Sequence, residues 1–251
     1  MRLFQKITAT AVILASSVGL ALADGESLFI YSGAGLKKPM EEIAAVFKAK
    51  NNVDIEFNYA GSGQLLAQLE TTRKGDVFLV GSEDSYNVAK QKGLVNEAYD
   101  IAHHTPAIVV LKSNPKNIQT LEDLSKDGVK VILGEAKANA IGKTAQIILQ
   151  KNDLTKVNDN VVSTANTVNE MVVQLTLGNA DAMIATIDSV YNNPKVKIIG
   201  INPAQNIDQI VTGGVISTTA YPELSKAFMD FASSKEGKEI FARYGFKPVT
   251  E

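Results

Sequence analysis

The segment SLFIYSGAGLKKPMEEIAAVFKAK, residues 27–50, decides the fold class. Its first five residues, 27–31, predict a short buried β-strand. Residues 39–50 carry the apolar side chains of Met40, Ile43, Ala44 and Phe47 at helical spacing, which predicts a helix. A strand that leads through small residues into a helix is the repeating unit of an α/β protein.

The same alternation continues on both sides of a central region. We predict further strands at residues 53–59, 77–80, 107–111, 129–133, 182–185, 196–201 and 215–217. We predict further helices at residues 62–72, 86–92, 142–151, 168–177, 222–233 and 235–244. Repeated strand–helix units of this kind indicate a mainly parallel sheet with helices on both faces.

The N-terminus has the features of a secretory signal peptide. Arg2 and Lys6 form a basic start, and residues 7–22 follow without a charge. Ala21 and Ala23 are the small residues that a signal peptidase recognises, so we expect residues 1–23 to be removed by cleavage before Asp24. The alternative is a retained membrane helix, but hydroxyl and glycine residues interrupt the apolar run. The sequence therefore predicts an exported, soluble protein.

The composition excludes several classes of partner and site. Without the signal peptide, 23 basic residues stand against 27 acidic ones with no basic cluster, which argues against nucleic acid. The chain has no cysteine, so it has no disulfide framework, no thiolate nucleophile, no cysteine zinc site and no lipoprotein anchor. We expect no cofactor and a monomer. About 228 residues are enough for two modest lobes.

Three segments bring small or hydroxyl residues from the end of a strand into a helix. They are YSGAG at 31–35, AGSGQ at 60–64 and NAIGKT at 139–144. Ligands of open α/β sheets bind at the carboxyl ends of strands, and helix N-termini there attract anions. Each segment taken alone is also compatible with an ordinary tight turn. Three of them together favour an anion site.

The supply of basic side chains limits how such a site is built. Arg73 and Arg243 are the only arginines after the signal peptide, so a pair of guanidinium forks is hard to assemble. Amides and hydroxyls are therefore the expected donors.

The sequence contains no motif for catalysis. Segment 60–63 lacks the first glycine of a nucleophile elbow, and Lys38 stands where a dinucleotide fingerprint needs its third glycine. Neighbouring His103 and His104 point to opposite sides of a strand, so a metal site using both is not expected, although either one alone could face a cleft. Glu83 and Asp84 are expected to be solvated loop acids. We predict that the protein is not an enzyme.

Four stretches resemble the periplasmic molybdate-binding proteins of ABC transporters. They are residues 28–47, the serine turn with Leu65 to Leu69, GDVF at 75–78 and EIFARYGF at 239–246. The resemblance implies a type II periplasmic-binding-protein fold, in which two α/β lobes joined by two crossovers enclose a ligand cleft. It implies lobe one at residues 24–103 plus 214–251 and lobe two at 104–213. It also implies a periplasmic location and a partner permease in the inner membrane.

The resemblance implies a ligand set, which this chain keeps in part. Ser62 matches the family's second-loop serine, whereas Gly35 replaces its first-loop serine and keeps only an amide. Whether Ser32, three residues earlier, compensates is left open. Main-chain contacts fall near Ile141 and Val168, and Thr186 replaces a tyrosine hydroxyl. Molybdate or tungstate is the first expected ligand. Another small anion or a phosphorylated metabolite is the alternative, and a secreted enzyme is the disfavoured one.

Overall fold

The computed structural model describes residues 27–250. The predicted signal peptide, 1–23, and its cleavage site before Asp24 lie outside this range. The strands described are β1 (Ser27–Gly33), β2 (Asp54–Ala60), β3 (Val77–Val80), β4 (Tyr99–His103), β5 (Pro106–Leu111), β6 (Val131–Gly134), β7 (Val161–Ala165), β8 (Ala182–Thr186), β9 (Val196–Gly200), β10 (Ile210–Val215) and β11 (Lys247–Pro248). The α-helices are α1 (Lys37–Asn51), α2 (Ser62–Thr72), α3 (Glu83–Gln91), α4 (Ala140–Lys151), α5 (Val168–Thr176), α6 (Pro222–Ser233) and α7 (Lys235–Arg243).

The strands form two sheets. The first has the order β11-β4-β10-β3-β1-β2, and the second has the order β7-β6-β8-β5-β9. The chain passes from the first sheet to the second between β4 and β5, and it returns before β10. The α/β class predicted from the alternation is confirmed.

Both sheets are mixed, so the prediction of a mainly parallel sheet was wrong. Strand β1 pairs in parallel with β2 and β3, but β10 pairs antiparallel with both β3 and β4. In the second sheet, β6 is parallel to β7 and β8, whereas β5 is antiparallel to β8. The two crossovers explain this arrangement. Each crossover reaches a sheet at the end where its parallel strands finish, so the strand that follows, β5 or β10, runs in the opposite direction.

Strand alternation places apolar side chains on both faces of the first sheet. Leu28 and Ile30 of β1 pack with helices α1, α6 and α7 on one face, where Phe47, Phe228 and Phe241 are buried. Tyr31 points to the other face and packs against the helices α2 and α3. The second sheet has its own core, built around Ile108, Val131 and Ile184. Two separate cores leave a gap where the two sheets face each other.

Two predicted elements have different bounds in the structure. Helix α3 begins three residues before the predicted 86–92, because the Ser82 hydroxyl accepts from the amide of Ser85 at 3.4 Å and caps the helix. Glu83 and Asp84, which we expected in a loop, therefore lie in its first turn, where acidic side chains favour the helix dipole. The last predicted strand, 215–217, lies at Ile210–Val215 instead.

The return crossover also lies earlier than expected. Thr212 and Gly213 pair with Val80 and Leu79 of the first sheet, so residues 210–213 belong with that sheet and not with the second. The amide of His104 donates to the carbonyl of Gln209 at 2.7 Å, which places the two crossovers side by side. Over residues 27–250, the chain forms no helix with the length and apolar character needed to cross a bilayer.

Candidate ligand-binding site

A cavity of about 230 Å³ lies between the two sheets, where the strands of both sheets end. The loops that follow β1, β2, β3 and β4 approach it from one side, and those around β6, β7 and β8 approach it from the other. Its lining residues are Gly33 to Lys38, Gly61, Ser62, Gly81, His104, Asn139 to Ile141, Asn166 to Asn169, Thr186, Asp188 and Ser189. The carboxyl ends of strands are where α/β folds hold ligands.

Helix α2 presents its N-terminus to this cavity. Gly61 is the N-cap residue and has no side chain to occupy the first amides of the helix, while Ser62 is the first helical residue. Ser62 is 5% exposed and lines the cavity, and its hydroxyl makes no hydrogen bond within the described range 27–250. Ser62 is therefore not an N-cap, and both its hydroxyl and its amide remain free for a ligand.

Helices α4 and α5 also begin at the cavity, with different caps. The side chain of Asn139 accepts from the amide of Ile141 at 3.3 Å, so the predicted amide donor at Ile141 is already bonded. At α5, the Thr167 hydroxyl accepts from the amide of Glu170 at 3.3 Å. That bond leaves the first amide of α5, at Val168, without an intrahelical partner.

Of the two residues predicted near the first loop, Gly35 lines the cavity and Ser32 does not. Gly35 lies on the cavity wall and is exposed. Ser32 does not line the cavity; it is fully buried within β1, and its hydroxyl has no partner among residues 27–250. Ser32 thus does not replace the hydroxyl that Gly35 lacks, because strand alternation turns its side chain into the protein.

Thr186 reaches the cavity but uses its hydroxyl elsewhere. Its Oγ1 donates to Oδ2 of Asp188 at 3.2 Å, and the residue is fully buried. A threonine hydroxyl has one proton, so in this arrangement it has none left for an anion. We expected Thr186 to donate to the ligand, and the bond to Asp188 competes with that role.

Sequence reasoning missed the hydrogen bond between His104 and Asp188, which lies beside Thr186. Nδ1 of His104 lies 2.9 Å from Oδ1 of Asp188, and the two side chains are 14% and 2% exposed. The question of which histidine faces the cleft is thereby answered, because His103 turns away and bonds Asp208 at 2.5 Å. No sequence pattern singles out Asp188, since its only feature is that it lies two residues after the end of a strand.

Few other charges border the cavity. Lys37 and Lys38 line it but are exposed, and Lys37 lies 3.7 Å from Glu41. Neither Arg73 nor Arg243 is in the lining, and Arg243 pairs with Glu42 of α1. The residues described, 27–250, contain no group of three histidine or acidic side chains able to hold a metal ion.

Comparison with known proteins agrees with this arrangement of loops around a cleft. Residues 28–247 match the family described as bacterial extracellular solute-binding protein. The chain belongs to this family. Members of the family are not enzymes; they are the solute-binding components of ABC importers, work with a membrane permease and are exported.

Three relatives show how far the similarity extends. A Haemophilus influenzae protein named only as a binding protein is 29% identical and covers 98% of this chain and 99% of its own. The molybdate-binding protein ModA of Mycobacterium tuberculosis is 27% identical, over 92% of this chain and 88% of its own. A solved substrate-binding domain assigned to a molybdenum ABC transporter of Clostridium difficile is 26% identical, with a TM-score of 0.72 over 90% of this chain and 100% of its own. The fold is thus the type II periplasmic-binding fold predicted from the resemblance.

Proposed function

We propose that this protein captures a small tetrahedral oxyanion in the cavity between its two sheets, with molybdate or tungstate as the first ligand. The observation that carries this proposal is the convergence of three helix N-termini, those of α2, α4 and α5, on one cavity. Helix N-termini favour anions through free amides and the helix dipole. The molybdate-binding name of the mycobacterial relative supports the choice of ligand.

The proposed donors are ranked by whether another group of the protein already forms a hydrogen bond with them. The hydroxyl and amide of Ser62 and the amide of Val168 come first, because all three lie at the cavity and make no hydrogen bond within residues 27–250. The amide at Gly35 adds a donor from the first loop. Ile141 contributes only if its bond to Asn139, at 3.3 Å, opens. Thr186 supports Asp188 instead of the ligand.

The border of the cavity supports a second ligand class. Lys37 and Lys38 line the cavity and are exposed, so they are placed to contact a group that extends from a bound oxyanion. Another small anion with a substituent, such as a phosphorylated metabolite, is therefore the second candidate.

The organisation of the chain follows from the sheets. We propose that lobe one comprises residues 24–103 plus 210–251 and that lobe two comprises residues 104–209. The return crossover is moved from residue 213 to 209 because Ile210–Val215 pairs with β3 and β4. The segments next to residues 104 and 209 would act as the hinge.

Two further parts of the proposal concern the mature protein. It is a monomer in the periplasm, and its signal peptide is removed before Asp24. Mass spectrometry of the exported protein checks the cleavage site, and light scattering checks the mass in solution.

A thermal-shift screen tests the proposed ligand. The mature protein is heated with molybdate, tungstate, sulfate, phosphate and a set of sugar phosphates. A ligand at a hundred times its dissociation constant stabilises a protein by about 2.7 kcal/mol, which raises the melting temperature of a chain this long by about 5–10 °C. We expect molybdate and tungstate to give this shift. A shift with sugar phosphates alone selects the second candidate, and no shift with any anion refutes the proposal.

A further inference from the structure

The cavity contains one basic group that is largely shielded from solvent, and it is a histidine. Lys37 and Lys38 lie exposed at its border, whereas the His104 side chain is 14% exposed and lies on the cavity wall. The carboxylate beside it, on Asp188, is 2% exposed. A buried carboxylate is costly unless a donor or a positive charge is bonded to it.

Two contacts fix the imidazole of His104. Its Nδ1 is bonded to Asp188 at 2.9 Å, and its ring stacks on Phe246 with centroids 5.6 Å apart and an interplanar angle of 11°. Asp188 is itself held by the Thr186 hydroxyl at 3.2 Å. The ring therefore has one orientation, with Nδ1 turned to Asp188.

The opposite edge of the ring faces the ligand loops. Nε2 lies 3.3 Å from the place that a β-carbon of Gly81 would take, and Cε1 lies 4.0 Å from that of Gly35. Both glycines line the cavity, and they leave this edge uncovered. Within residues 27–250, no hydrogen bond is made by Nε2.

We infer that His104 is an anion ligand: its Nε2–H donates to the bound oxyanion, and Asp188 is the positioning residue that orients the ring. An imidazole bonded to a carboxylate through Nδ1 offers Nε2 as a donor when the ring is protonated. A bound oxyanion stabilises that protonated form, because the positive ring then lies between two negative groups. Binding therefore takes up protons at a pH where the free ring is partly neutral.

Other charged groups near the ring do not replace this role. Asp188 is the acid that faces it, from the turn after β8. Lys37 and Lys38 reach the same cavity from the start of α1, and Phe246 on the stacked side is apolar. His103, one residue away, is engaged with Asp208 outside the cavity.

This inference rests on the proposed function, and calorimetry separates the two. Molybdate and sulfate are titrated into the mature protein between about pH 6 and pH 8, where neither anion changes its own charge. Each pH is measured in two buffers of different ionisation enthalpy, which counts the protons taken up. We expect the affinity to fall by up to tenfold for each pH unit above the histidine range, with net proton uptake on binding.

Two variants identify the group responsible. His104→Gln keeps a neutral donor but loses the pH dependence and the proton uptake, and it binds at least tenfold more weakly near pH 6. His103→Gln, the matched control outside the cavity, keeps both properties. In Asp188→Asn the pH dependence moves to lower pH, since the ring loses its charged partner, whereas a merely structural effect would weaken binding equally at every pH.

A second measurement applies if a variant does not fold. The chain has two histidines, so the His104 ring signals in an NMR titration are assigned by their persistence in His103→Gln. Saturation with molybdate is expected to move the titration of His104 to higher pH. Binding that is strong but independent of pH, with no proton uptake, overturns the inference and leaves the proposed function standing. An absence of binding at every pH refutes both.

Discussion

Gly61 and Ala138 meet across the cleft at a distance that only glycine permits. A β-carbon at position 61 would lie 2.1 Å from the carbonyl oxygen of Ala138. The backbone of Gly61, with φ −66° and ψ 146°, is one that any residue adopts, so space and not conformation requires glycine there. Nearby, Lys143 lies 3.3 Å from Asp84 and joins the same two sides of the cleft. The structure therefore has its lobes in contact at the mouth of the cavity.

Gly61→Ala is predicted to prevent this contact and to weaken molybdate binding by about 5–150-fold, the equivalent of the 1–3 kcal/mol that overpacking costs. Calorimetry measures the affinity, and small-angle scattering measures whether the liganded protein still becomes compact. The control is Gly63→Ala, because a β-carbon there lies at an ordinary 3.5 Å from the carbonyl of Lys137. Equal affinities of the two variants would show that the contact is not needed for binding.

Glu42→Gln is predicted to reduce stability in a pH-dependent way. Glu42 joins α1 to the end of α7, and hydrogen bonds from Arg243 and Tyr244 lower the pKa of its carboxyl. Because the folded pKa is the lower one, the stabilisation is present above the unfolded value near 4.5 and is lost as pH falls through the folded value. We expect a loss of about 0.5–1 kcal/mol at neutral pH for this partly exposed pair.

Urea unfolding at neutral pH and near pH 3 measures that difference. The control is Glu41→Gln on the same helix, since Glu41 only approaches Lys37 at 3.7 Å within one helix. Its loss is expected to stay within about 0.5 kcal/mol. The same loss for Glu42→Gln at both pH values would mean that packing, and not charge, is responsible.

Ser62→Ala is predicted to weaken molybdate binding by about one to two decades and to leave the unliganded stability unchanged. The Ser62 hydroxyl lines the cavity and makes no hydrogen bond within residues 27–250, so its removal is expected to cost the fold nothing. A hydrogen bond from it to a charged ligand contributes about 1.5–3 kcal/mol. Ser82→Ala is the reciprocal control. It removes the cap of α3 at a cost of about 1 kcal/mol and leaves the affinity unchanged. An affinity of Ser62→Ala within twofold of the wild type would place the ligand elsewhere.

Sequence alone predicts the helices and the loops of this fold better than it predicts the site. Helix α2 and strand β3 have the expected bounds, because their apolar spacing and their flanking glycines are local signals. Strand β4 was not predicted, since its sequence, YDIAH, has no strict alternation, and its partners β10 and β11 come more than a hundred residues later.

The site shows the same limit. Ser62 and Gly35 were proposed from the sequence because each lies in a turn with its own pattern, and both line the cavity. The bond of His104 to Asp188 joins residues 84 positions apart and depends on how the crossover meets the second sheet. The bond of the Thr186 hydroxyl to Asp188 joins residues only two positions apart, but no sequence pattern indicates it.

Gly35→Ser is predicted to tighten molybdate binding by up to about tenfold. The substitution adds the first-loop hydroxyl that the resemblance to molybdate-binding proteins leads us to expect, and position 35 lines the cavity. There is room for it, because the nearest atom to a β-carbon at position 35 is Cε1 of His104 at 4.0 Å. A new donor to a charged group is worth about 1.5 kcal/mol at the low end, which is about tenfold in affinity. Gly35→Ala is the matched control, since it adds the β-carbon without the hydroxyl and is expected to bind no better than the wild type. If the serine and alanine variants have the same affinity for molybdate, the first loop does not reach the anion, and the ligand is held by α2 and the second sheet alone.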